Sequence, residues 1–223
     1  MEWLKDFVLK NKIEMMQKNL VLSLEGVKRM SQGSDVLHDE RHIWRMLKDA
    51  VLLGQEEKLK INWAVLLPAI CWHDVWTVEK MPSSLWQFLK EYSWDGIGSA
   101  KIFNKEAEKI GLEETIKKAT AYAIKQHPAW HLGGHKTLEA KILWDVDNLE
   151  TWSWERRKPL DEKLKENNEE NKRQIEKLEW YFRWFMRKKT SDRLYFNWSK
   201  KEWEKRKKRY LEETEKLLEK YGV

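Results

Sequence analysis

The chain reads as an all-α protein, a single helical bundle with a C-terminal helical hairpin. Three observations predict this. Apolar residues recur at three- and four-residue intervals through most of the 223 residues, no sustained period-two alternation marks a strand, and only four prolines and nine glycines interrupt the pattern. A hydrophobic share of 41% beside 36% charged residues is globular and sufficient for one substantial core.

Taken in order, helices are predicted near residues 2–17, 39–56, 60–73, 84–92, 96–111, 113–126, 136–152, 160–188 and 199–220. The breaks between them have chemical reasons. "QGSD" (Gln32 to Asp35) and "MPSS" (Met81 to Ser84) combine Gly, Pro, Ser and Asp ahead of helical patterns, and Gly111 and Gly222 stand where C-terminal caps belong. Residues 60–73 include the most apolar run of the chain, Ile61 to Trp72, and His131 to His135 reads as a loop. Leu160 to Gln174 is so polar that an exposed helix or a partly mobile one is expected there. Beyond it, Ile175, Leu178, Phe182 and Phe185 form one apolar stripe, and Trp203, Tyr210, Leu217, Leu218 and Tyr221 form another. These stripes serve either packing of the hairpin or a homo-oligomer interface. The expected division is a core over 1–155 and an extension packed on it over 156–223. The fifteen tryptophans fall mostly beside apolar positions and read as core and rim residues.

The formal net charge of +6 is unevenly spread. Residues 151–223 hold 22 Lys and Arg against 15 Asp and Glu, which leaves 21 against 22 for residues 1–150. The densest basic patch, Lys200 to Arg209, has Glu202 and Glu204 mixed into it, so it reads as a solvated helical face rather than a nucleic-acid contact. The longest apolar run is about ten residues, too short to span a bilayer. Met1 to Leu20 mixes charge through its apolar residues, unlike a signal peptide. One cysteine, Cys71, excludes an intrachain disulfide and fits a reducing compartment. A soluble, cytoplasmic protein without a membrane partner is expected.

The apolar run ends in "CWHDVW" (71–76), which takes His73 and Asp74 toward a core where an unpaired carboxylate is very costly. A satisfied structural pair is one explanation. A cation is the other, because "HDERHIWRML" (38–47) places two more histidines on a predicted helix and "ILWDVDNL" (142–149) places Asp145 and Asp147 inside an apolar one. One ion between three such helices would compensate all of these groups, and mixed imidazole and carboxylate donors suit Mn, Fe, Co, Ni or Zn. On a helical wheel Asp145 shares the side of Leu138, Ile142 and Leu149, with Asp147 about opposite, so amphipathicity alone nominates Asp145.

The order H…HD…D resembles that of the HD-domain metal-dependent phosphohydrolases, an all-helical family. His42-Ile43-Trp44-Arg45-Met46 is similar to the family's H-I-x-R-[VM] segment, His73-Asp74 to its dipeptide, and Asp145-Val146-Asp147-Asn148-Leu149 to its D-x-D-x-L segment. Ala123 to His127 is like its A-I-x-x-H, Thr137 to Leu143 matches the lead-in to the last aspartates, and "TSDRLYFNW" with "KRYLEETEKLLEKYG" looks like the helical tail of one branch. The likeness covers residues 20–220.

The resemblance implies that His42, His73, Asp74 and Asp147 bind one divalent transition metal, with Mn favoured for activity. It implies hydrolysis of a phosphate ester or anhydride of a small phosphorylated substrate, a nucleotide by preference, through a metal-activated water. Asp145 then serves as an orienting carboxylate beside the ligands. Asp74 could also orient or deprotonate the water. Arg45 either holds a substrate phosphate or, preferably, pairs with an acid, and His127 either touches substrate or is structural. His131 and His135 are expected in a surface loop. Two departures matter. Two-metal members carry a histidine about twenty residues after the HD pair, where this chain has Asp95, and this favours a mononuclear site. An acid three positions after the HD aspartate, which assists the water in some relatives, is replaced by Thr77, with Glu79 nearby. The alternative to an enzyme is therefore a catalytically weak or inactive metal-stabilised regulatory or ligand-binding module. Neither a G-x-x-x-x-G-K-[ST] loop nor a G-x-S-x-G elbow is present.

Overall fold

The computed structural model describes residues 1–32, 40–79, 85–128, 134–155, 180 and 186–220. Among them there is no strand, as the fold class predicts. The helices are α1 (Glu2–Lys10), α2 (Gln17–Gln32), α3 (Glu40–Glu56), α4 (Trp63–Trp72), α5 (Val75–Glu79), α6 (Leu85–Lys109), α7 (Glu114–Gln126), α8 (Leu138–Glu150) and α9 (Asn197–Lys220), with short 3₁₀ turns at Met186–Lys188 and Ser191–Arg193. Two compact units result, Met1–Asp147 and Asn148–Val223, with the boundary inside α8.

The first unit is built around α4. Val65 to Trp72 are all buried, so this helix has no polar face and must be covered on every side. It packs against α2, α3, α6 and α7. Each fully buried Leu or Ile contributes about 1.5–3 kcal/mol relative to exposure. Pro68 stands inside α4 and has no N–H to give the carbonyl of Ala64 four residues earlier. The side-chain amide of Asn19, from α2, donates to that carbonyl at 2.8 Å and so replaces the missing bond. On α3, Ile43, Met46, Leu47, Ala50 and Leu53 form the apolar stripe, and His42 lies on the same buried side.

Two differences from the expected helices have clear causes. The helix expected over 2–17 ends at Lys10, where the Asn11 side chain donates to the Phe7 carbonyl at 2.8 Å and Lys12 turns to a φ of +51°. The chain then forms α2, for which no helix was expected. Its docking face is made of Asn19, Ser23 and Gly26 as much as of Leu22, Val27 and Met30, so no clean apolar period marks it. Gly26 is needed there, because a Cβ at this position would lie 2.7 Å from both the Cys71 carbonyl and the Trp72 Nε1. Trp72 itself donates from Nε1 to the Leu22 carbonyl at 2.9 Å. The helices expected over 84–92 and 96–111 are the single α6, which continues through Asp95-Gly96 and ends at Lys109, with Gly111 just past it at a φ of +62°.

In the second unit, the ring of Trp152 meets Trp203 edge-on at 5.1 Å and Tyr210 at 5.5 Å. Lys207 lies 5.0 Å from the Trp203 ring centre and donates to the carbonyls of Arg187 and Lys189 at 3.0 and 2.6 Å. Trp203, Thr214 and Leu217 are buried along one side of α9, with the side chains of Lys205 and Arg206 paired to Glu202. Of the helix expected over 160–188, the described residues are Trp180, which is helical, and Met186–Lys188, which form a 3₁₀ turn. The stripe from Ile175 to Phe185 lies outside the described residues, as do Leu160 to Gln174, Tyr221 and Gly222. No helix among the described residues is long and apolar enough to cross a membrane.

Candidate metal centre

Three helices of the first unit bring His42, His73, Asp74 and Asp147 together. His42 comes from the first turn of α3, His73 ends α4, Asp74 occupies the α4–α5 junction and Asp147 lies on α8. One donor atom from each falls within 4.8 Å of all the others. The two imidazole Nε2 atoms are 3.3 Å apart. Asp74 Oδ2 is 3.0 Å from His73 Nε2 and 3.9 Å from His42 Nε2, while Asp147 Oδ1 is 3.8 and 3.9 Å from the same two atoms. Donors about 2.0–2.2 Å from one ion, at right to tetrahedral angles, are about 3.0–3.5 Å apart, and wider angles account for the longer pairs.

The protonation pattern also suits a cation. His73 Nδ1 donates to the carbonyl of Ile70, one turn back on α4, at 2.8 Å. Its Nε2 is then left with a lone pair aimed at the other donors, the arrangement found behind metal-bound histidines. Burial disfavours the imidazolium of His73, but the Asp74 carboxylate outweighs it and raises the histidine above its ordinary value. Only a cation, proton or metal, reconciles so many lone pairs at a buried point. Two imidazole nitrogens and two carboxylate oxygens could hold a metal ion.

Asp74 has a second set of neighbours. Its Oδ1 is 3.1 Å from His127 Nε2, and the same nitrogen is 3.3 Å from Asp95 Oδ2. His127 Nδ1 donates to the Ile124 carbonyl at 2.7 Å, the arrangement seen at His73. Asp95 Oδ1 accepts from the Thr77 backbone N–H and the Ser99 hydroxyl, both at 3.3 Å, and Ser99 in turn accepts from the Trp76 backbone N–H at 3.0 Å. All three acidic or imidazole groups are buried. Burial opposes the charged form of His127, yet its bonds to Asp74 and Asp95 hold it well above the usual histidine value. Burial, and then the charge of Asp74, push Asp95 upward. Gly96 makes this contact possible, because a Cβ there would lie 2.7 Å from the Lys125 carbonyl and from Pro128 Cδ on either side of His127.

The remaining expected site residues fall as follows. Asp145 is fully buried and is not one of the four clustered donors, whereas the Asp147 side chain is 27% exposed. The wheel thus identifies the more buried aspartate correctly, but the less buried one reaches the cluster. Arg45 is half-buried on α3, one turn after His42. His135, expected in a surface loop, is instead buried; its Nε2 bonds the Gln126 carbonyl at 2.8 Å and its ring packs 5.0 Å from Trp144. His131 lies outside the described residues. Asp95 is the member that residue-by-residue reasoning assigned no role. The signal was present in the following "GIG", two small residues in a helix that mark close approach of other chain segments.

No family model matches the chain, and no curated protein or solved structure matches it either.

Proposed function

We propose that the chain is a metal-dependent phosphohydrolase that cleaves a phosphate ester or anhydride, with a nucleotide as the preferred substrate class. The observation that carries this reading is the convergence of the His42 and His73 Nε2 atoms with carboxylate oxygens of Asp74 and Asp147 within 4.8 Å. A divalent cation held there, Mn by preference, would supply an acidified water and offset charge on a phosphoryl oxygen. The chain's own residues do the rest. Ile70 fixes the His73 tautomer through its carbonyl, and Asp74 faces the cluster with Oδ2 while His127 engages Oδ1. Asp147, the most exposed of the four, marks the side from which substrate and water would arrive. In this proposal Arg45, one turn from His42, meets a substrate phosphate or an acid, and Asp145 supports its neighbour Asp147 from the buried side.

A second reading rests on Thr77. Among the described residues its Oγ1 is buried without a hydrogen-bond partner, at the place where some HD-domain proteins have an assisting acid. This favours a metal-stabilised regulatory or ligand-binding module with weak or no turnover. The test is metal analysis of the purified protein beside His73→Ala and Asp147→Asn, with a nucleotide panel assayed for phosphate and pyrophosphate release in added Mn²⁺. Metal and hydrolysis lost together in the variants support the enzyme. Metal without hydrolysis in the wild-type protein supports the module, and no metal under any loading overturns both.

A further inference from the structure

We infer that the outward face of α3 docks single-stranded nucleic acid. Arg41, Trp44, Arg45, Lys48 and Leu52 follow one another at steps of three and four residues, so they share one side of the helix. Trp44 and Leu52 keep 41% and 42% of their surface in solvent, Arg41 and Lys48 are exposed, and Arg45 is half-buried. The other side of α3, with His42, Met46 and Ala50, is buried. The face is basic without belonging to a generally basic surface, because residues 1–150 hold 21 Lys and Arg against 22 Asp and Glu. The acids of α3 are placed elsewhere. Asp49 is buried, Glu40 accepts from Trp3 Nε1 at 3.3 Å, and Glu56 stands about 16 Å beyond Arg45 along the axis.

Cations beside an exposed indole are what a single strand requires, the first for its phosphates and the second for its bases. Lys48 Nζ lies 4.3 Å from the Trp44 ring centre, so charge and π-surface are held together. Arg41 and Arg45 engage other groups of the chain as well, and a guanidinium with five N–H donors can serve those groups and a phosphate together. A membrane surface fits this face less well. The apolar side of α3 is turned into the core, and two apolar side chains among three cations give no broad face to insert. The basic stretch of α9 differs in kind, since its Lys205 and Arg206 are paired with Glu202.

The inference goes beyond the phosphohydrolase reading and does not need it, so its test reads binding by the full-length, chelator-stripped chain. Fluorescence anisotropy of a labelled oligothymidylate is followed over a series of salt concentrations. The wild type should bind with an affinity that falls as salt rises. Trp44→Ala should weaken binding about tenfold at an unchanged salt slope, the loss of one stacked base. Lys48→Gln should make the slope of log affinity against log salt shallower by about 0.7. Both side chains are exposed, so neither change disturbs the core. A double variant on α9, Lys201→Gln with Lys205→Gln, should bind as the wild type does. No binding by the wild type, or equal binding by the wild type and both α3 variants, would overturn the inference. So would loss in the α9 variant alone, or binding to phosphatidylserine vesicles but not to the oligonucleotide.

Discussion

The two clusters that meet at Asp74 are built from the same residue types in different proportion. On one side stand two imidazoles with Asp147, and on the other a single imidazole with Asp95. The first draws its donors from α3, α4 and α8; the second depends on α6 lying flush against the end of α7 at Gly96. The difference teaches that a buried polar site can be specified in two ways. One is by donors that stand out in apolar helices, and the other is by a missing side chain that lets two backbones approach.

The strongest way to separate the clusters is therefore Gly96→Ala. Its Cβ would meet the Lys125 carbonyl and Pro128 Cδ at 2.7 Å, and the backbone on one side cannot swing away as a flexible side chain would. A loss of about 1–3 kcal/mol is expected from overpacking, read by thermal or urea melts. The contacts of His127 with Asp74 and Asp95 should loosen, while the cluster of His42, His73, Asp74 and Asp147 stays in place. A variant as stable as the wild type, with both clusters unchanged, would show that the close approach is not required.

A smaller effect follows from protonation in the chelator-stripped protein. His73 and His127 are both raised above the ordinary histidine value in the folded chain. Their protonated forms are thus favoured by folding, and the stability they add is full below the unfolded value of about 6.5 and lost as pH rises through the folded values. The melting temperature without metal should fall as pH climbs above about 6.5. Saturating Mn²⁺ should flatten or reverse the trend, because metal binding requires deprotonated imidazoles. A metal-free protein that gains stability over that range would contradict the pairing of these histidines with Asp74 and Asp95.

The smallest expected change is that of Thr77→Val. Among the described residues the hydroxyl is buried without a partner, whereas the backbone N–H that holds Asp95 is kept in the variant. Stability should stay within about 1 kcal/mol, shifted toward greater stability, with both clusters intact and Mn²⁺ binding unchanged. A marked loss of affinity would mean that the hydroxyl contributes to one of them.

How legible these features were depends on the kind of signal each leaves. His42, His73 and Asp147 stand in apolar helices where a polar group needs a reason, so residue chemistry and flanking motif point to them directly. The choice between Asp145 and Asp147 shows the limit of the helical wheel. Periodicity reports burial, and Asp145 is indeed the more buried, but burial does not say which carboxylate reaches donors on the neighbouring helices. Asp95 left only an indirect trace, since its partner His127 is on another helix and nothing local announces the contact. The unexpected α2 has a similar cause. A helix that docks through Asn19, Ser23 and Gly26 gives up the apolar period by which helices are found. The C-terminal unit was readable in the opposite way: Trp203 and Leu217 show the stripe of α9 plainly, and yet nothing about them names a function.

The bond from Asn19 to the Ala64 carbonyl has a consequence for how the molecule opens and closes. A proline in the middle of α4 would ordinarily be the place where that helix frays, but here the weak point is sutured by a side chain from α2. Amide hydrogens along α4 should accordingly be among the last in the first unit to exchange with deuterated water, and exchange there should report opening of the whole unit rather than local breathing. His73 and Asp74 are anchored to the end of that slow segment, so an ion held by them would leave through motion on the Asp147 side, without waiting for the core to open.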